Sequence, residues 1–196
     1  MSKGDKPLGR LEGAKEESYF RRNDADLIDA LRAKLANEAT AEAIKSETQI
    51  QDDDLLLRLA ELGITTDTIK MLHLIPLLDV AWADGEIQDV ERQLLLEAAE
   101  ETGVTEGSAR ALFESMLEQK PKAELVNAAV DFIGNLLQVL PKDAADSARD
   151  NLLTLSWQVA DACGGVFGLW GRVDDDERNA LRRIGERLSE IQPDAA

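Results

Sequence analysis

Helix start and stop signals at short intervals constrain this chain more than any other feature. In "DDDLLLRLAELGITTD", residues 52–67, Asp52 to Asp54 favour a helix N-terminus and Gly63 suits the left-handed position after a helix. Thr65 or Thr66 can then cap the next helix. The pattern returns in "AAEETGVTEGS", where Gly103 ends one helix and Thr105 begins another. Apolar residues recur at helical spacing from residue 12 onward, and no run alternates apolar and polar in the manner of strands. The chain reads as all-α, with helices near 12–36, 52–62, 67–84, 88–101, 106–118, 122–139, 143–162 and 174–190. Pro76 should kink the third of these or restart it, because proline removes a backbone donor and clashes with the preceding turn. Pro121 and Pro141 fall where a first helical turn tolerates proline.

At 196 residues the chain can bury one substantial core. We divide it into an amphipathic helical arm with linker at 1–50 and an acidic bundle at 51–196. The net charge of -17 opposes nucleic acid and anionic lipid and suits cations or a basic protein surface. The arm is balanced, with 6 basic and 5 acidic residues over 1–24, so the acid lies in the body. One cysteine, Cys163, excludes an internal disulfide, and one histidine, His73, leaves no Cys/His zinc set. The start is too charged for a signal peptide and no apolar run approaches membrane-spanning length, so a cytoplasmic protein with no membrane insertion is expected.

"ADGEIQDVER", residues 83–92, carries the second half of a calcium-loop signature. With Asp84 and Gly85 at its fifth and sixth positions, Ile87 falls at the eighth and Glu91 at the twelfth. The first and third positions fall on Val80 and Trp82, which offer no side-chain oxygen, so a standard loop site is not expected. Glu91 has a structural explanation as the N3 residue of a capping box opened by Gln88. Asp84 lies near a helix C-terminus, where negative charge is unfavourable unless offset. It reads either as an Asx-type turn or as part of a divalent-cation site with Glu86 or Asp79. Asp84 and Glu86 are the candidate metal residues.

Shifted by 86 residues, "GEIQDVER" at 85–92 aligns with "GRVDDDER" at 171–178, pairing Gly85 with Gly171, Ile87 with Val173, Glu91 with Glu177 and Arg92 with Arg178. In the second copy Asp174 is a strong N-cap and Glu177 completes the box. The shared unit is a helix-turn-helix corner, which implies a bundle of two pseudo-symmetric helical hairpins. Trp170 stands where Asp84 does, so a cation site at the first corner would not be duplicated. "LIPLLDVAWADGEIQDVERQLLLEAAEETGV" resembles the core motif of the TerB-like proteins, named for tellurite resistance and related to a segment of a membrane-anchored DnaJ-type co-chaperone. The matching residues are Ala83, Asp84, Gly85, Glu86, Ile87 and Glu91, and the resemblance covers about 65–190. It implies an all-helical fold, no catalysis, and a connection with stress responses, acidic surfaces and divalent cations.

The arm segment "EGAKEESYFRRNDADLIDALRAKL" forms an amphipathic helix on paper, with Phe20, Leu27, Leu31 and Leu35 near helical repeats. Its stripe belongs either against the bundle or in a partner's groove. "EESYFRR" resembles the inhibitory segment of the mitochondrial ATP-synthase inhibitor protein, through Glu16, Glu17, Tyr19, Phe20 and Arg21. That resemblance implies an ATPase as partner.

The remaining signals argue for structure. "ACGGVFGLWGRV" is too apolar for a flexible linker and reads as close helix packing or as an apolar loop for a partner. His73 stands in an apolar helical segment with no serine or cysteine set, Cys163 beside glycines suits a small packed residue, and no strand precedes the glycines to make a phosphate loop. Trp82, Trp157 and Trp170 do not make a base-stacking surface. The reading is a non-enzymatic, acidic helical interaction module without an obligatory cofactor. It would bind a basic protein partner or divalent cations, with regulation of a rotary ATPase through residues 12–35 as the alternative.

Overall fold

The computed structural model describes the backbone over residues 7–163 and 175–190, and side chains over 27–159, at Asp176 and over 178–187. Among these residues there are eight α-helices and no strand: α1 (Pro7–Thr48), α2 (Asp53–Glu61), a 3-10 segment (Ile69–Leu74), α3 (Ile75–Ala81), α4 (Asp89–Glu101), α5 (Gly107–Glu118), α6 (Ala123–Val139), α7 (Lys142–Cys163) and α8 (Asp175–Glu190). No helix among the described residues is long and apolar enough to cross a membrane. The chain forms two compact units, Met1–Ala39 and Thr40–Ala196.

The first unit is the greater part of α1. Leu27, Ile28, Leu31 and Leu35 lie on it with 48 to 64% of their surface exposed. Asp29 pairs with Arg32 at 3.1 Å and Lys34 with Glu38 at 3.9 Å, surface pairs three and four residues apart that contribute only a few tenths of a kcal/mol, roughly 0.2–0.5, each. The side chains of Glu16, Glu17, Tyr19, Phe20 and Arg21 lie outside the described residues.

The second unit begins inside α1, which runs twelve residues beyond the expected stop at 36. Residues 37–48 keep helix-forming alanine, glutamate and lysine, and Ile44 among them is fully buried. The helix ends where the Thr48 hydroxyl bonds back to the Ile44 carbonyl and Gln49 turns to φ 61°. A glutamine rarely occupies that left-handed position, so the stop carried no glycine to announce it.

Both glycine stops close their helices as the sequence indicates. After α2, Gly63 at φ 85° lets its own N–H bond the Ala60 carbonyl and the Ile64 N–H bond the Leu59 carbonyl. After α4, Gly103 and Val104 bond Glu100 and Ala99 in the same way. Ile64 and Val104, the apolar residues that follow each glycine, are both fully buried, so each turn is also a core anchor. Asp52 caps α2 by accepting the Leu55 N–H at 3.0 Å.

Three local expectations are corrected. Thr68, and not Thr65 or Thr66, closes the turn before the 3-10 segment: its hydroxyl accepts the Thr65 N–H at 2.9 Å. Glu106, and not Thr105, holds the N-cap of α5, because Gly107 at φ 76° places the bend one residue later. Pro121 and Pro141 stand just outside their helices rather than within the first turn, Pro121 before the N-cap Lys122 and Pro141 with its carbonyl accepting the Ala145 N–H.

Pro76 restarts the third helix. It has no N–H for the Leu72 carbonyl, so Ile75 bonds that carbonyl in a tighter 3-10 turn and α3 begins afresh with proline in its first turn. The α-helix then ends at Ala81, short of the expected 84.

The core gathers Leu55, Leu59, Leu72, Leu74, Leu78, Leu95, Phe113, Ala129 and Leu181 from six α-helices and the 3-10 segment. Each buried leucine stabilises by roughly 1.5–3 kcal/mol. α7 packs on both α3 and α4, and α8 packs on α3, α6 and α7, so the two segments that bear the repeated motif share one core. His73 is half-buried in the 3-10 segment, with Nε2 unpartnered among the described residues, and burial lowers its pKa below 6.5 despite a hydrogen bond to the Lys70 backbone. It is held neutral in the fold, so its contribution is complete above pH 6.5 and is lost as pH falls from there through the folded pKa.

Candidate functional site

Most residues of the corner between α3 and α4 have a structural partner. Trp82 is the C-cap of α3, and its indole N–H donates to the Met116 carbonyl of α5 at 2.8 Å. A large ring packed against the core with its one polar atom satisfied fixes how α3 ends. The Trp82 carbonyl in turn accepts the Lys120 ammonium at 2.7 Å. The chain then turns at Gly85, whose φ of 104° strains any residue with a Cβ. Ile87 packs against the core, and α4 starts at Asp89.

Glu91 is fully buried, and its Oε2 accepts the Gln88 N–H at 2.6 Å, completing the capping box. The carboxylate satisfies an N-terminal amide and favours the positive end of the α4 dipole, so burial is tolerated. Arg92, the next residue, donates to Glu118 at 2.8 Å and to the Leu117 carbonyl at 3.1 Å. Residues 116–120 therefore hold both arms of the corner, through Trp82 on one side and Arg92 on the other.

Asp84 and Glu86 are both exposed. Asp84 makes an Asx turn, its Oδ1 accepting the Glu86 N–H at 3.1 Å. Asp79, the third acid near this end of α3, lies 3.6 Å from Arg183 of α8. Beyond the corner the outward side of α4 exposes Asp89, Glu97, Glu100 and Glu101. The negative end of α3 is thus offset by two cations from distant elements, Arg183 and Lys120.

A hard cation such as calcium takes six to eight oxygens. At the corner the residues present offer the free carboxylate oxygens of Asp84 and Glu86, while the Trp82 carbonyl is held by Lys120. Among the described residues there is no group of three or more His, Cys, Asp or Glu side chains arranged for a metal.

At the second corner, residues 164–174 and the side chain of Glu177 lie outside the described residues, and with them the expected Asp174 cap, the glycine-rich stretch and Trp170. The Cys163 side chain lies outside them as well. The start of α8 at Asp175 falls 86 residues after that of α4 at Asp89, as the repeat requires.

Sequence reasoning missed the braces. Lys120, Met116 and Glu118 lie 38, 34 and 26 residues from their corner partners, so no local pattern couples them. Two signals were present: a tryptophan at a helix end needs an acceptor for its N–H, and Arg92 recurs as Arg178.

No curated protein and no solved structure matches the chain. The family model of tellurite resistance protein TerB matches residues 70–196, which contain the corner, its braces and its repeat. On that match, which spans well over half of its length, the chain belongs to the TerB family.

Proposed function

We propose that the chain is a non-enzymatic acidic interaction module that receives a basic protein partner at the α3–α4 corner, in the setting of a stress response. The observation that carries this reading is the exposure of Asp84 and Glu86 on a corner whose Trp82, Glu91 and Arg92 side chains are engaged internally. A fixed turn presents the two carboxylates with little ordering cost on binding, and the acidic side of α4 extends the field that steers a basic surface. The small oxygen supply favours a lysine or arginine over a bare divalent cation. The test is cross-linked capture of the tagged full chain from its host, followed by mass spectrometry of the partner. Asp84→Lys with Glu86→Lys should reduce recovery of that partner at least about tenfold, and raised salt should weaken the complex. Unchanged recovery with the double variant would remove the corner from the interface.

The alternative reading places function on the arm, as a helix inserted into a rotary ATPase through residues 12–35 with Glu16, Glu17, Tyr19, Phe20 and Arg21 in contact. Exposed Leu27, Ile28, Leu31 and Leu35 support it, since an amphipathic helix docks by such an i, i+4 stripe. A synthetic peptide of 12–35 assayed on the host's ATPase decides this: no inhibition at high micromolar concentration discards it.

A further inference from the structure

We infer that the cavity between α3, α6 and α8 binds a small aliphatic amino acid as its zwitterion: the ammonium on Asp79, the carboxylate on Arg183 and Asn127, and the side chain over Val126, Val130 and Ile184. The site uses none of the exposed acids of the corner.

The three helices pack on one another pairwise and enclose a cavity of about 190 Å³, lined by these six residues together with Glu186 and Arg187. That volume falls below the roughly 300–1,000 Å³ of sites for drug-sized ligands, so it suits a molecule of amino-acid size. Val126, Val130 and Ile184 are buried and give the cavity an apolar floor.

The two arginines of α8 that reach this cavity are held differently. Arg187 closes on its acceptors, donating from one nitrogen to Asn127 Oδ1 at 2.7 Å and pairing through another with Asp131. Arg183, one turn earlier, stands 3.6 Å from Asp79, beyond hydrogen-bonding distance, and has no other side-chain partner among the described residues. The Asp79 carboxylate has no other partner among them either, although its side chain is only 16% exposed. A carboxylate so covered is normally hydrogen-bonded, and an ion pair that served only to hold α8 on α3 would gain most at contact distance. Both ends of this pair instead keep hydrogen-bonding capacity beside a cavity.

Asn127 adds a further donor. Its Oδ1 is taken by Arg187, which orients the amide and leaves the Nδ2 hydrogens without an acceptor among the described residues. The cavity thus brings together a carboxylate short of donors, a guanidinium and an amide short of acceptors, and an apolar floor. An α-amino acid complements each of these with ammonium hydrogens, carboxylate oxygens and a hydrocarbon side chain, so that charges alternate from Asp79 through the ligand to Arg183. A lone carboxylate would meet Asp79 and Glu186 as repelling neighbours, and a lone amine would leave Arg183 and Asn127 unanswered.

The test titrates L-valine into the full chain by calorimetry, beside isovalerate and isobutylamine, which keep the hydrocarbon and one charge each. Valine should bind at least about tenfold more tightly than either analogue. Asp79→Asn should weaken valine at least about tenfold and leave isovalerate no weaker, while Arg183→Gln should weaken valine as much and leave isobutylamine unchanged. Circular dichroism checks the fold, and Arg183, 63% exposed, keeps the proposal testable if Asp79→Asn does not fold. The proposal is overturned if valine, alanine and leucine all fail to saturate by about 10 mM. It is overturned as well if either analogue binds as tightly as valine, or if either folded variant binds valine as the parent chain does.

Discussion

Helices α4 and α8 occupy equivalent places in the repeat and differ in what they show outward. Their inward positions agree: Leu95 and Leu181 are buried, Leu94 pairs with Ala180, Ala98 with Ile184 and Ala99 with Gly185, each pair 86 residues apart. Outward, Glu97 and Glu101 of α4 stand where α8 has Arg183 and Arg187. The two arginines turn inward on the protein's own acids: Arg183 faces Asp79, while Arg187 bonds Asn127 at 2.7 Å and pairs with Asp131. Asp131 also lies 3.8 Å from Arg58 of α2. Packing has kept one register in both copies while their charges have separated, one copy holding the bundle together and the other leaving its acid exposed.

The shared register should show the largest effects. Leu95→Ala and Leu181→Ala each empty a fully packed site, and each should cost about 2–5 kcal/mol in urea unfolding. If one costs less than half the other, the two helices are not equivalent in the core. Next comes the capping box. Glu91→Ala leaves the Gln88 N–H without its acceptor in a buried setting and should cost about 1–2 kcal/mol. Glu177→Ala should match it if the second corner is closed the same way, and a loss below about 0.5 kcal/mol would confine the likeness to sequence.

The outward difference is tested by Arg187→Ala. The pairs it removes are partly exposed and screened, so the expected loss is about 1 kcal/mol, against less than about 0.5 kcal/mol for Glu101→Ala. Arg187→Glu gives α8 the chemistry of α4, sets two carboxylates against each other at Asp131, and should destabilise more than the alanine variant. Equal stability of Arg187→Glu and Glu101→Arg would remove the distinction between a clasping copy and an open one.

The sequence made the local parts legible and concealed the long-range ones. Gly63 and Gly103 announced two helix ends because few other residues tolerate the left-handed turn, and Gln88 with Glu91 announced a helix start by spacing alone. Gln49 concealed the end of α1 by doing glycine's work, and Pro76 indicated a restart without revealing that the residues before it would tighten into a 3-10 segment. At the corner, Asp84 and Glu86 were visible as the acids without a counterpart in the repeat. Lys120 was not, because only tertiary folding brings the α5–α6 connection onto the end of α3.

The smallest test makes one copy more like the other. Gly185 in α8 takes the place of Ala99 in α4, and a glycine inside a helix normally marks a backbone in close contact. Here, among the described residues, a Cβ built on Gly185 would meet only Leu153 Cδ2, at 3.9 Å, an ordinary van der Waals contact. Alanine should therefore fit without displacing α7, and relief of the glycine penalty should stabilise the protein by roughly 0.5–1 kcal/mol. A rise in melting temperature of a few degrees would mean that the two helices are interchangeable at this position. A fall would show that α8 sits closer to α7 than α4 does, and that the shared register does not extend to the depth of packing.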